Sequence, residues 1–396
     1  MPITGDQTLL KQLNRMAIVR CVRQRAGQSR ADLAKETGLT KSTVSLLVQE
    51  LIDEGWLQEN AIQITGALGR RPTPLVVDPS RLAMVGAELG VDFIHVVGVS
   101  LVGEIISYSK EPVVGVDPKT VLGRLGAMLI QEVAIVRDAG RKVLGIGVGL
   151  PGAMDEAAGL LKVAPNLGWR RVDVASVLRA ALADAGLSAL PLWMQNEADV
   201  AALGEFEFGD APVRDPLVYL SLGIGVGAGI VVNDRLFSGA AGFAGEVGHS
   251  ILQVAGPRCS CGREGCAEAF IGLRAVAQQA AQQGEEGPSV AALADRIAHA
   301  EPQAVSAAAR AGHYLGVLMQ NLWTTFDPGR FVLGGPTCEL GAPMLDAARE
   351  TLSRYARDAG VPMPEVRLSR YGSRAVAAGA AAMVLHKIVR PLQKTA

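Results

Sequence analysis

Four side chains able to bind a soft divalent metal fall within eighteen residues of this chain. They are His249, Cys259, Cys261 and Cys266, in the run GEVGHSILQVAGPRCSCGREGCAE from Gly245 to Glu268. Three thiolates and one imidazole are the donor set of a closed tetrahedral zinc site, in which the ion is structural. Gly262 and Gly265 allow the loop between the cysteines to turn back until the donors converge. Disulfide pairing is the rival chemistry. Five cysteines are an odd number, and the opening MPITGDQTLLKQ lacks the basic-then-apolar order of a secretory signal, so reduced thiols and one structural zinc ion per chain are expected.

Two carboxylates flank this loop, Glu246 before His249 and Glu268 after Cys266. Taken singly, a glutamate is ordinarily a solvated charge. Two of them beside a metal loop are better placed to act together. A carboxylate can accept from two hydroxyl donors at once.

The elements that must carry these groups follow from composition and periodicity. At 396 residues the chain is long enough for two or three domains, and at 49% hydrophobic it can bury sizeable cores. A net charge of −1 excludes a wholesale polyanion binder, though not a small basic module. The longest uncharged run, Leu217 to Val232, is too short for a bilayer span, and its alternating glycines suit paired strands. A soluble cytoplasmic protein without membrane contact is expected.

Residues 1–78 read as a winged helix-turn-helix. A first helix over Asn14 to Arg25 buries Ile18, Val19 and Val22. A second starts at the N-cap Ser29 and ends before Gly38, and a third over Thr40 to Glu54 buries Val44, Leu47, Val48 and Leu51. The third is the recognition helix, and Lys41, Ser42, Thr43 and Ser45 in its first turn could reach base edges or phosphates. Strands at Leu57 to Glu59 and Ile62 to Thr65 would form the wing, ending in Gly69-Arg70-Arg71-Pro72, whose two cations suit a narrow minor groove. Residues 1–30 hold six basic side chains (Lys11, Arg15, Arg20, Arg23, Arg25, Arg30) against Asp6 alone, an asymmetry that favours phosphate contact.

Beyond Leu82, strands and helices alternate in an order that nearly repeats near Pro216. The repeat predicts an α/β fold of two lobes, 79–205 and 206–396, with a cleft between them. The second lobe carries the zinc motif, and its terminal helix is free to pack back on the first.

The ordered motifs now carry a family likeness. Gly245-Glu246-Val247-Gly248-His249 and Cys259-Ser260-Cys261-Gly262-Arg263-Glu264-Gly265-Cys266-Ala267-Glu268 are joined by Leu150-Pro151-Gly152, Pro165-Asn166-Leu167, Asn196-Glu197-Ala198-Asp199 and Gly223-Ile224-Gly225-Val226-Gly227. Over essentially its whole length the chain resembles the ROK family of repressors and sugar kinases, and in particular its repressor branch of the xylose and N-acetylglucosamine type. The resemblance implies an actin-like (ASKHA) sugar-kinase-type domain behind the winged helix-turn-helix. It further implies a sugar held by Asn166, Asn196, Glu197, Glu246, His249 and Glu268, with His249 serving both zinc and sugar. Operator DNA, a homodimer or dimer of dimers, and a neutral monosaccharide effector such as xylose or glucose follow from the same likeness.

The kinase branch needs an aspartate where this chain has Glu197, a phosphate loop where it has Glu88-Leu89-Gly90-Val91-Asp92, and a threonine where it has Ile224. A side chain one methylene longer misplaces a general base by about an ångström. The departures favour a sugar-responsive repressor without catalysis. An ATP-dependent sugar kinase with an added DNA-binding domain is the alternative, and a scaffold governed by a protein partner is a third.

Overall fold

A computed structural model of the protein describes residues 6–60, 73–209, 215–240, 242–281 and 287–391. The chain divides into two compact units, one of Met1–Gln195, Glu207–Pro212 and Ala377–Thr395, the other of Asn196–Phe206 and Val213–Val376.

The first unit begins with helices α1 (Gln7–Gln24), α2 (Arg30–Thr37) and α3 (Lys41–Asp53). Each has a side chain at its N-cap. Asp6 accepts from the Thr8 amide, Ser29 and Asp32 form a reciprocal capping box, and Thr40 accepts from the Thr43 amide. The Asp6 cap starts α1 seven residues before the expected Asn14. The predicted apolar faces are buried, Ile18, Val19 and Val22 on α1 and Val44, Leu47, Val48 and Leu51 on α3. Strand β1 (Leu57–Glu59) pairs antiparallel with β2 (Leu75–Val77). The strand expected at Ile62 to Thr65, and with it Arg70 and Arg71, lies outside the described residues.

Next come β3 (Leu82–Leu89), β4 (Phe93–Ser100), β5 (Ile105–Pro112), α4 (Pro118–Asp138) and β6 (Lys142–Leu150). Strands β7 (Ala153–Asp155), β8 (Leu160–Ala164) and β9 (Trp169–Asp173) form a small antiparallel sheet of their own, which the sequence reading omitted. Then follow α5 (Val174–Asp184), β10 (Leu192–Asn196) and α6 (Glu197–Phe208). The main sheet runs β10-β6-β3-β4-β5, with β3, β4 and β5 antiparallel and β6 parallel to β3.

The remaining elements are β11 (Leu217–Leu222), β12 (Val226–Val232), β13 (Arg235–Leu236), α7 (Glu268–Ile271), α8 (Leu273–Ala280), α9 (Val290–Ala298), α10 (Pro302–Phe326), β14 (Arg330–Gly334), α11 (Ala342–Ala359), β15 (Glu365–Leu368) and α12 (Ala375–Val389). Their sheet runs β13-β12-β11-β14-β15, again three antiparallel strands with β14 parallel to the first of them. Read from its other end, it repeats the order of the first sheet. No described helix is long and apolar enough to cross a membrane.

Side-chain alternation places each sheet between helices. On β3, Ala83, Val85, Ala87 and Leu89 share a core with α4 and α5. The intervening Gly86, and Gly147 on β6, face α12 so closely that a Cβ on either would run into the carbonyl oxygen of Ala377 or Ala380. On β11, Val218, Leu220 and Leu222 share a core with α10 and α11. On the neighbouring β12, Gly229 meets Ala198 and Ala202 of α6. Helices α12 and α6 thus lie against equivalent sheets through the same small-residue contact.

Candidate functional site

The cysteine loop converges as its spacing predicts. The donor atoms of His249, Cys259, Cys261 and Cys266 all lie within 4.8 Å of one another. Cys261 Sγ is 3.7 Å from Cys266 Sγ, and Cys259 Sγ is 3.7 Å from His249 Nδ1. Two thiolates bound to one tetrahedral zinc ion lie roughly 3.8 Å apart, whereas a disulfide would bring the sulfurs to about 2.05 Å. All three cysteines are free, and the donor set fits a closed structural ion. Because Nδ1 is the imidazole nitrogen on the thiol side, Nε2 is the one available to a second partner.

The Gly245–His249 arm is pressed onto β12. Ala228 donates its amide to the Gly245 carbonyl at 2.7 Å. A Cβ on Gly245 would strike the Ala228 carbonyl oxygen, and one on Gly248 that of Val226. These glycines let Glu246 sit between two points of backbone contact. Glu246 has no side-chain hydrogen bond among the described residues. Burial pushes its carboxyl above the usual range; His249 opposes the shift and Glu268 adds to it. Glu268 is more committed. Its Oε1 accepts from Ser260 Oγ at 2.8 Å and lies 3.6 Å from Cys259 Sγ, and its Oε2 accepts from the Val226 amide at 3.3 Å. One carboxylate therefore joins the metal loop to the glycine loop before β12, while its neighbour keeps its acceptors open.

Asn196 turns out to cap α6, its Oδ1 accepting from the Ala198 amide at 2.8 Å, a role that the polar residue just before a helix could have signalled. Glu197 begins that helix. These two belong to the second unit together with Glu246, His249 and Glu268, whereas Asn166 belongs to the first, on a short 3-10 turn where its side chain is exposed.

The Glu88–Asp92 segment of the first unit forms a tight hairpin. Glu88 is buried in β3, directly opposite His95 on β4, with Oε2 3.4 Å from Nδ1. Burial pushes the Glu88 carboxyl up despite its His95 and Lys110 neighbours. The second acid of the loop, Asp92, is exposed at the turn.

The basic side chains of residues 11–30 are paired rather than free. Lys11 pairs with Glu50 at 2.7 Å, Arg15 with Glu54, Arg25 with Glu36 at 3.1 Å, and Arg30 with Glu59 at 2.7 Å. Arg20 donates to the Val389 carbonyl at 2.9 Å and Arg23 to that of Leu101 at 2.6 Å. The acids that answer Lys11, Arg15, Arg25 and Arg30 lie in residues 31–59, and residues 1–59 hold eight Lys or Arg against seven Asp or Glu. The asymmetry of residues 1–30 is thus largely internal pairing. On α3, Lys41, Ser42 and Ser45 are exposed, while the Thr43 hydroxyl lies 2.8 Å from that of Thr40.

Arg23 also enters a buried joint that sequence reasoning missed. Its Nη2 reaches Glu207 Oε2 at 3.2 Å, and Glu207 Oε1 accepts from His386 Nδ1 at 2.6 Å and from Arg390 Nη1 at 2.5 Å. The Glu207 side chain is only 3% exposed. Burial alone would raise its carboxyl, but Arg390, His386 and Arg23 hold it far below the usual carboxylate range. The joint fastens α1, the end of α6 and α12 into one piece.

Comparison with known proteins identifies the relatives of the whole chain. Residues 84–387 match the profile of the ROK family, and residues 15–61 that of the IclR helix-turn-helix domain. A xylose repressor of Caldicellulosiruptor bescii is 33% identical, the match covering 96% of this chain and 97% of that one. A solved ROK family transcriptional regulator, homologous to the Escherichia coli Mlc protein, superposes with a TM-score of 0.77 at 24% identity, covering 96% of this chain and 97% of that one. A ROK family glucokinase from Streptomyces griseus, solved with glucose and AMPPNP, gives a TM-score of 0.64 at 26% identity, covering 76% of this chain and 98% of that one.

Proposed function

Because this chain belongs to the ROK family, we propose that it is a sugar-responsive transcriptional repressor of genes for carbohydrate use, without phosphotransfer activity. The observation that carries this reading is coverage. A xylose repressor matches 96% of the chain, helix-turn-helix included, while the glucokinase matches 76%.

In this reading Glu246 accepts two sugar hydroxyls with its open carboxylate, His249 offers Nε2, and Glu268 uses its remaining lone pairs. Asn196 and Glu197, of the same unit, complete the set of contacts. Zinc held by His249, Cys259, Cys261 and Cys266 supplies a structural constraint that keeps the arm and Glu268 in register. No cation is among these groups, which favours a neutral monosaccharide, with xylose first and glucose second. On the DNA side, Lys41, Ser42, Ser45 and the Arg70-Arg71 pair meet the operator as part of a dimer, and Thr43 holds the cap. Arg30, paired with Glu59 through one nitrogen, has further guanidinium N–H groups to offer a phosphate.

Sugar lowers operator affinity only insofar as it binds one arrangement of the chain better than another. Glu197 in place of aspartate, the Glu88–Asp92 loop and Ile224 together argue against ATP chemistry. The test is a thermal-shift screen against xylose, glucose and their phosphates, run beside a coupled assay for sugar phosphorylation with Mg-ATP. Stabilisation by a free sugar with no turnover is expected. Steady phosphorylation would replace this reading with that of a kinase carrying a DNA-binding domain, the reading the glucokinase likeness favours.

A further inference from the structure

The outward face of α3 is not wholly polar. Leu46 is 60% exposed, whereas Val44, Leu47, Val48 and Leu51 of the same helix are at most 3% exposed. Ser42, Ser45, Leu46 and Gln49 recur at the i, i+3, i+4 and i+7 spacing of one helical face. Part of that face is already committed. The Gln49 amide donates to Asp53 at 2.9 Å, Glu50 is held by Lys11, and Ser42 Oγ lies 3.0 Å from Thr40 Oγ1. Lys41, Ser45 and Leu46 make no side-chain hydrogen bond or ion pair among the described residues, and they lie within the first two turns.

A lone exposed leucine ordinarily needs no explanation. This one sits on the second helix of a helix-turn-helix, the helix whose N-terminal turns lie against base edges in the major groove. There, the apolar group on offer is the C5 methyl of thymine. The local charge is compatible with that neighbour, since Lys41 opens the helix and the nearest acid on it, Glu50, is engaged by Lys11.

We propose that Leu46 is a base-reading residue that packs on the methyl group of one thymine in each operator half-site. It deepens the DNA-binding reading above and rests on it. Lys41 and Ser45, flanking it, supply the polar contacts that fix the register, and Leu46 supplies the preference for thymine over cytosine or uracil at that position. Covering one methyl group corresponds to roughly a fourfold change in affinity per half-site.

The experiment begins with duplexes selected from a random library by the full-length protein. In the selected duplex each thymine is replaced in turn by uracil, which removes the methyl and nothing else. The wild type is expected to lose about fourfold in affinity at one thymine per half-site. Leu46→Ala should bind more weakly overall and ignore that same replacement, while responding like the wild type elsewhere. Because Leu46 is exposed, the variant should keep the wild-type melting temperature, which verifies its fold. A duplex whose affinity ignores every uracil, or a Leu46→Ala variant equally sensitive at the same thymine, overturns the role of Leu46 alone. A library that yields no enriched duplex overturns the DNA-binding reading, and Leu46 with it.

Discussion

The two five-stranded sheets share one strand order, yet the first hairpin of each does different work. In the first unit the β3–β4 hairpin closes over a buried Glu88 and His95, 3.4 Å apart, and the chain passes from β5 to α4 within five residues. In the second unit the β11–β12 hairpin turns through Gly223–Gly225, and the amide of Val226 beyond it donates to Glu268. Between β13 and α7 the chain then inserts the Glu246 arm and the cysteine loop. Topology is set by alternation along the strands, and chemistry by what is inserted between them. One hairpin closes on itself, and the other carries the candidate site.

The contrast can be broken most forcefully at the candidate metal cluster. Cys266 is fully buried, and structural zinc contributes about 10–16 kcal/mol in small zinc peptides. Cys266→Ser should therefore cost several kcal/mol, release zinc in elemental analysis, and raise hydrogen exchange across 245–271 while leaving β3–β6 protected. Equal loosening of both sheets would mean that the loop braces more than its own unit.

Next in size is Glu207→Ala, which leaves the buried Arg23 and Arg390 charges without their shared carboxylate at a cost of about 3–5 kcal/mol. Exchange should rise in α1 and α12. The pH sign follows from the depressed carboxyl. Its contribution is whole above the unfolded value of about 4.3 and is lost as pH falls toward the folded one. Glu207→Gln should accordingly flatten the acid limb of the stability curve, and an unchanged limb would remove the joint from the account.

Gly248→Ala pushes the arm off Val226 at about 1–3 kcal/mol. Zinc should remain and the sugar-induced thermal shift should vanish; a retained shift would place the sugar away from Glu246. The mildest effect near pH 5 is expected from Glu88→Gln. A carboxyl raised in the folded state contributes stability that is whole below its unfolded value and lost as pH rises through the folded one. The variant should thus gain on the wild type toward neutral and alkaline pH, with sugar response unchanged. A parallel pH profile would mean that Glu88 keeps its ordinary titration.

The parts of the molecule legible beforehand are those written locally. Caps and apolar periodicity located α2 and α3, and metal-ligand spacing located the cysteine cluster. The β7–β9 sheet escaped because strands of three to five residues carry little periodicity, although Gly152, Gly159 and Gly168 mark turns around them. Long-range pairing was beyond reach. Nothing near Arg23 announces a partner at Glu207, and nothing near Leu57 announces β2 across the intervening residues. The pairing of the basic residues on α1 was out of reach for the same reason, since their acidic partners follow later in the chain. Glu268 was found by type, but its double commitment to the metal loop and the glycine loop depends on how those loops fold.

The contact of α12 with Gly86 and Gly147 has a consequence for α1. The residues that anchor α1 lie on α12 or just past its end, namely Val389 for Arg20, and His386 and Arg390 for the carboxylate that holds Arg23. Arg20 and Val389 are 369 positions apart in sequence, so this mooring closes a very long loop and depends on α12 being seated on its sheet. A substitution that lifts α12 from Gly86 or Gly147 should loosen the DNA-binding helices with it.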